Sequence, residues 1–347
     1  MTAQEPAIAR SLRALAQGDL PGEELTSAAF GELMRGETTP AQTAALLMGL
    51  RVRGETPAEL TGAVRAVRSA MVRVPVDDPA LVDTCGTGGG RVTTFNVSTA
   101  AALIAAGAGV PVAKHGNRSF TSRCGSADVL EALGVPVGQS PDGAARILAA
   151  AGMAFLFAPA FHPAMRFAAP VRRELAVPTL LNVVGPLANP AGVRRQVVGV
   201  ADRARAPLLA ESLSQLGALH AMVVHGIVGM DEISPWDATH VWEVRDGKMS
   251  TWTIEPAYYG LAVSGLDELA GGEPRENAAR LERLFERPAA DPVGRAAAVL
   301  NAGAALYVSG RAAGYGAGVE AAAAALDGGA AARALAKLRA AGANTSA

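Results

Sequence analysis

Residues 80–118 read ALVDTCGTGGGRVTTFNVSTAAALIAAGAGVPVAKHGNR, and the choice of fold turns on this stretch. Ala80 to Asp83 is a short apolar segment of strand type, Ala100 to Ala108 an apolar run of helical length, and Val110 to Ala113 a second strand-like segment. Strand, helix and strand in that order form the unit of a parallel α/β sheet. Between the first strand and the helix stands Gly86-Thr87-Gly88-Gly89-Gly90. Consecutive glycines let the main chain turn with positive φ and approach a ligand closely, so that successive N–H groups can point at anionic oxygens. Ser98 and Thr99 precede the apolar run, which places a helix N-terminus with its unpaired N–H groups beside the loop. Lys114-His115-Gly116-Asn117-Arg118 adds cations. Backbone donors, hydroxyls and cations in one short span predict a polyphosphate cradle. The P-loop string is absent, and Gly86, Gly88 and Arg91 only loosely approach the Rossmann spacing.

Upstream, the pattern is helical to about Val74. Thr39-Pro40-Ala41-Gln42 and Thr56-Pro57-Ala58-Glu59 are two capping boxes, each with proline at the first helical position. Downstream of Pro75 short apolar segments alternate with helical ones. The helix Ala127 to Leu133 is followed by a helix capped by Ser140-Pro141 and the strand Met153 to Phe157. Beyond these come the strand Gln196 to Val200, the helix Ala206 to Leu216 and the strand Ala221 to Val224. From Phe161 to Pro190 the alternation breaks into a helical stretch carrying Arg166, Arg172, Arg173 and Glu174. Gly271 to Arg287 is polar enough for a surface loop, and the tail from Ala289 reads as two Ala-rich helices. The predicted class is therefore α/β. A small helical domain spans 1–74, joined by part of 161–190. A larger domain, 75–347, has a mostly parallel central sheet flanked by helices. Sites in such sheets lie outside the carboxyl ends of the strands, where Gly86 and Lys114 both fall.

Half of the 347 residues are hydrophobic, enough to bury a substantial core. The net charge of −1 is spread without long blocks, which argues against a nucleic-acid or membrane-surface partner. Hydrophobic runs are broken well before membrane-spanning length, and the first 17 residues carry Glu5, Arg10 and Arg13 rather than a signal-peptide pattern, so a cytoplasmic location is expected. Cys85 and Cys124 are far apart and offer no metal spacing.

The order of motifs strongly resembles the anthranilate phosphoribosyltransferases. Those motifs are the glycine loop, Thr94-Phe95-Asn96-Val97-Ser98-Thr99, the Lys-His-Gly-Asn-Arg segment, Gly125-Ser126-Ala127-Asp128-Val129-Leu130-Glu131-Ala132-Leu133-Gly134 and Asn182-Val183-Val184-Gly185-Pro186-Leu187-Ala188-Asn189-Pro190. The resemblance runs over nearly the whole chain. It implies transfer of a phosphoribosyl group from phosphoribosyl pyrophosphate to the amine of anthranilate in tryptophan biosynthesis, by a homodimer built through the helical domain.

Position by position, the resemblance places the phosphates and ribose on Gly86, Gly89, Gly90, Thr94, Asn96, Val97, Ser98 and Thr99. Lys114, His115, Gly116, Asn117, Arg118, Ser119, Phe120, Thr121, Ser122 and Ser126 are expected to close over them. It places anthranilate at Gly86, Asn117 and Arg172, whose planar paired donors suit a carboxylate. It places magnesium at Ser98, Asp231 and Glu232. Adjacent acids after a strand fit that assignment, since Mg2+ takes hard oxygen ligands and bridges carboxylates to phosphates. One departure stands out: the family's loop reads Gly-Thr-Gly-Gly-Asp-Gly, whereas Gly90 and Arg91 occupy the last two places here.

An oxocarbenium-like displacement needs charge stabilisation at the leaving pyrophosphate, and the neutral aromatic amine needs positioning more than a strong base. No acid–base residue is assigned. His115 is expected to hold the loop or pack on the aromatic acceptor, and the other histidines suggest no metal site. Two alternatives remain open at this level: a nucleoside phosphorylase of the same architecture, and a non-catalytic paralogue that keeps the cradle.

Overall fold

The structure is a computed structural model that describes residues 5–119 and 123–345. Four helices open it: α1 (Ala7–Gln17), α2 (Gly22–Arg35), α3 (Pro40–Arg53) and α4 (Pro57–Ala70). Both capping boxes form. Thr39 Oγ1 accepts from Gln42 N at 3.2 Å while Gln42 Oε1 accepts from Thr39 N at 2.9 Å, and Thr56 and Glu59 do the same for α4. Each box satisfies two of the N–H groups that a helix start leaves without partners.

The sheet follows, in the chain order β1 (Val82–Gly86), α5 (Val97–Gly107), β2 (Val112–Gly116), α6 (Ser126–Ala132), α7 (Pro141–Ala151) and β3 (Met153–Phe157). Three short helices then interrupt it: α8 (Ala158–Phe161), α9 (Ala169–Leu175) and α10 (Leu181–Leu187). Next come β4 (Arg195–Gly199), α11 (Ala206–Gln215), β5 (His220–Gly226) and the hairpin β6 (Thr239–Arg245) and β7 (Lys248–Ile254). The chain closes with α12 (Pro274–Glu286), α13 (Pro292–Val308), α14 (Tyr315–Asp327) and α15 (Ala330–Thr345).

Strand order is β3-β2-β1-β4-β5-β6-β7, parallel from β3 to β5 and antiparallel in the last two pairings. From β1 the chain winds outward to β2 and β3, then returns to the other side of β1 as β4. The crevice between β1 and β4 is thus a topological switch point, where α/β sheets bind ligands.

Alternation along the strands divides the core. Val197, Met222 and Val224 face α5 and the C-terminal helices, whereas Val198, Ala221 and Val223 face α11 and the layer that includes the N-terminal helices. Leu180, Leu181, Val183, Val184 and Leu187, around α10, join that second core.

Four expectations are corrected. β1 runs on to Gly86, beyond Asp83. β2 carries Lys114, His115 and Gly116, which polarity had placed in a loop; these pair with Phe155, Leu156 and Phe157 of β3, and the ladder holds them in the sheet. Residues 271–287 hold α12, whose Ala278, Leu281, Leu284 and Phe285 form a buried stripe that overall polarity had concealed. The tail makes three helices, α13, α14 and α15. Cys85 and Cys124 are not joined in a disulfide.

Candidate active site

At the switch point the glycine loop leaves β1. Gly88 and Gly89 take φ of 66° and 77°, the conformation expected of them, and Thr87 N donates to Gly199 O of β4 at 2.9 Å. The loop then meets the acidic pair. Gly88 N donates to Asp231 Oδ2 at 2.8 Å, and Arg91 N donates to Gly229 O at 3.0 Å. The contact spans 143 residues of sequence. Close approach requires bare backbone on both sides: a Cβ on Gly199 would stand 1.6 Å from Asp231 O, and one on Gly90 would stand 2.9 Å from Gly229 O. Glycine at position 90, where the family's loop has aspartate, therefore fits the way this loop packs on the acid-bearing segment.

Burial sets the electrostatics. Glu232 is buried, and its carboxyl is pushed up to about 8, first by desolvation and then by the charge of Asp231. The Thr94 side chain, Lys114 and the Ser98 backbone act in the opposite direction. Burial also raises Asp231, against the Gly88 N–H. Glu232 Oε2 has no hydrogen-bond partner among the described residues. The buried Lys114 Nζ donates to Thr84 O at 2.5 Å and to Ser98 Oγ at 3.2 Å. Desolvation lowers Lys114 and the charge of Asp83 opposes that effect. Asp83, raised to about 6 mainly by burial, is held by Asn189 Nδ2 at 2.8 Å and His115 N at 3.1 Å.

Thr84, Cys85, Ser98, Gly199, Asp231 and Glu232 line one small cavity of about 10 Å³, room for roughly a single water or ion. Ser98 and the acids share this hollow; Lys114 is linked to its lining through Ser98 Oγ and Thr84 O, and the glycine loop through the Gly88 N to Asp231 Oδ2 bond. Two neighbouring carboxylates, the buried one with an orphaned oxygen, and a serine hydroxyl lining the same cavity form a hard-oxygen donor set. That set fits a Mg2+ ion, which completes its shell with water and phosphate oxygens.

The remaining expected residues are distributed as follows. Val97 and the side chain of Thr99 are in the core, and Thr99 N donates to Asn96 O. Asn96 adopts a left-handed φ of 67°; its Nδ2 donates to Cys124 O at 3.1 Å and its Oδ1 accepts from Asn277 Nδ2 at 2.8 Å, which ties the loop to α12. Lys114 and His115, fixed in β2, cannot close over a ligand as a loop would. Asn117 O accepts from Ser126 Oγ and Ala127 N, both at 3.3 Å. Arg118 turns outward to Asp128 at 2.8 Å and Glu131 at 2.7 Å, with its guanidinium 5.6 Å from the Phe157 ring centre. Ser119 N donates to Asp128 Oδ2 at 3.3 Å. Phe120, Thr121 and Ser122 lie outside the described residues.

Arg172 sits on α9, which packs on α3, with burial lowering its guanidinium and no bonded partner for it among the described residues. No hydrogen bond or ion pair among the described residues joins it to Asp231 or Glu232. The sequence reading missed His162. Its ring centre lies 5.1 Å from that of His115, and both Nε2 atoms are buried without partners among the described residues. Burial lowers the two imidazoles to about 4 and about 3 respectively, so both stay neutral at ordinary pH. Nothing in the local sequence signals that pairing, because it joins a residue of β2 to one that follows α8, far along the chain.

The fold, a helical bundle joined to an α/β sheet, is that of a glycosyl transferase family. The profile of the glycosyl transferase family a/b domain matches residues 78–332, and that of the family's helical bundle domain matches residues 10–71. An anthranilate phosphoribosyltransferase of Rhodopseudomonas palustris is 50% identical over 93% of this chain and 95% of its own length. The crystal structure of the Thermus thermophilus anthranilate phosphoribosyltransferase superimposes with a TM-score of 0.91 at 40% identity, covering 98% of this chain and all of that one. The Saccharomyces cerevisiae enzyme in complex with PRPP and Mg superimposes at 0.88 with 25% identity, over 98% and 99% of the two chains. The chain belongs to the anthranilate phosphoribosyltransferase family.

Proposed function

We propose that this chain transfers the phosphoribosyl group of phosphoribosyl pyrophosphate to the amine of anthranilate, giving N-(5-phosphoribosyl)anthranilate and pyrophosphate in tryptophan biosynthesis. The observation that carries the site assignment is the Gly88 N to Asp231 Oδ2 bond, which joins an anion-binding loop to a cation-binding acid. Ser98, Asp231 and Glu232 would hold Mg2+. When bound, the ion neutralises charge on the pyrophosphate. The chain's own residues do the rest. The loop amides and the N-terminus of α5 present preorganised donors to the leaving group, and Lys114 sets a fixed positive charge behind them. Arg172, half-buried with an unspent guanidinium, suits the anthranilate carboxylate, with Gly86 and Asn117 completing that subsite. The aromatic amine arrives neutral, so holding it in line does the work of a base.

A homodimer through the helical layer belongs to the same proposal, supported by the apolar residues Leu20 and Val52, which are 61% and 80% exposed there. So do a domain division near residue 75 with the 161–190 segment returning to the helical layer, and a cytoplasmic location. No described helix is long and apolar enough to cross a membrane.

The test is the loss of anthranilate fluorescence on adding phosphoribosyl pyrophosphate, with and without magnesium. Arg172→Ala should raise the KM for anthranilate by at least tenfold with a smaller change for phosphoribosyl pyrophosphate, and Asp231→Ala with Glu232→Ala should abolish magnesium-dependent turnover. Unchanged constants in both variants would defeat the site assignment. Cleavage of thymidine by phosphate in place of that reaction would point to the nucleoside phosphorylase alternative.

A further inference from the structure

From Ala296 to Leu306, α13 is buried on every side, and Asn301 is the one polar side chain in that run. Asparagine is a poor helix residue, and a buried amide is costly unless each of its groups finds a partner. Here they do. Oδ1 accepts from Ile233 N at 3.0 Å, and Nδ2 donates to Ile233 O at 2.8 Å and to Ala297 O at 2.9 Å. The amide therefore reads both backbone groups of a single residue, the one directly after Glu232. An alanine or leucine would satisfy the helix better. The amide is explained by the segment it grips.

That segment carries the acids; Gly88 N and Arg91 N hold it before Glu232 and Ser234 N donates to Thr239 Oγ1 at 3.0 Å after it, while the Asn301 amide holds both backbone groups of Ile233 in between. It bends back after β5, with Gly226 N donating to Met230 O at 3.0 Å, and Asp231 rests its carbonyl against bare Gly199. Asn301 lines the same small cavity as Asp231, Glu232 and Ser98. Its helix also packs along α5, whose first turn presents Ser98. One helix thus supports both halves of the hard-oxygen site. Its neutral amide does so without adding charge beside two carboxylates that already repel one another.

We propose that Asn301 is a positioning residue for the cation site: by clamping Ile233 it fixes where the Glu232 carboxylate stands relative to Asp231 and the Ser98 hydroxyl. The inference rests on the assignment of those three residues as the metal site. Groups behind first ligands commonly set metal affinity by tenfold or more, because they hold the ligands in place before the ion arrives.

The experiment is a titration of Mn2+ in the presence of inorganic pyrophosphate, following the free-ion electron paramagnetic resonance signal, on the parent, Asn301→Leu and Asn301→Ala. Leucine keeps the volume and removes all three bonds, while alanine leaves room for water to serve Ile233. Ser212→Ala is the control, since Ser212 is equally buried but its Oγ donates to Pro57 O between α11 and α4, away from the acids. Both Asn301 variants should bind the ion about tenfold more weakly, with leucine at least as impaired as alanine, and the KM for anthranilate should move less than twofold. Ser212→Ala should lose thermal stability and keep its ion affinity. Parental Mn2+ affinity in a folded Asn301 variant would overturn the positioning role while leaving the metal assignment intact. Absence of Mn2+ binding in the parent would overturn that assignment and the positioning role with it.

Discussion

Gly199→Ala is the sharpest small perturbation the structure offers. The added Cβ would lie 1.6 Å from the carbonyl oxygen of Asp231 and 2.5 Å from its carbonyl carbon. Both obstacles are backbone, so no rotamer change relieves the clash. To reach ordinary contact near 3.4 Å, either the acid segment or the end of β4 must retreat by roughly 1.8 Å. β4 is held on both sides, by β1 and by β5 through residues 195–199, so the acid segment is the part that yields. A displacement of that size moves Asp231 away from Gly88 and breaks the 2.8 Å bond. Misplacing a reacting constellation by about 1 Å costs on the order of a hundredfold in rate, and overpacking of this kind costs about 1–3 kcal/mol in stability. The variant should therefore fold with a lowered Tm and show a kcat/KM for phosphoribosyl pyrophosphate reduced by about two orders of magnitude, with a higher magnesium requirement. Fluorescence-detected turnover across a magnesium series, alongside thermal unfolding, measures both. A folded Gly199→Ala variant with kcat/KM and magnesium dependence within threefold of the parent would refute the convergence of loop and acids.

His115 and His162 predict an acid sensitivity. Their folded values lie below the ordinary histidine value near 6.5, so the unfolded chain binds more protons between pH 6.5 and about 4, and stability falls as pH drops through that window. At pH 5 each costs about 2 kcal/mol relative to neutral pH, and His162→Gln should remove about half of that loss in urea unfolding at pH 7 and pH 5; an identical pH dependence in parent and variant would exclude the pair as its source. Thr56→Ala removes the side-chain half of a capping box, and α4 should lose about 1 kcal/mol, read as a lower urea midpoint with unchanged m; no shift would mean that Glu59 and tertiary packing hold the helix start without it.

What the sequence determined by itself is whatever is encoded between near neighbours. The two threonine caps, the positive φ values of Gly88 and Gly89, the hydroxyls at the start of α5 and the alternation that makes a parallel sheet all depend on spacings of a few residues, and all are present as expected. The residue types of the proposed cradle were legible for the same reason, since the donors a helix start offers to an anion are local chemistry. Polarity misled where burial reversed its meaning. Lys114 and His115 looked like a loop and are buried in β2, because Thr84 O and Ser98 Oγ accept from the Lys114 ammonium and Asp83 accepts from the His115 N–H, partners that come from other segments. Only the tertiary structure decided that Asp231 meets Gly88, that Gly199 must lack a side chain, that His162 lies against His115 and that Asn301 grips Ile233. Each of those contacts joins residues far apart in the chain, and such pairings are selected by sheet order and helix packing as a whole, which no local spacing records.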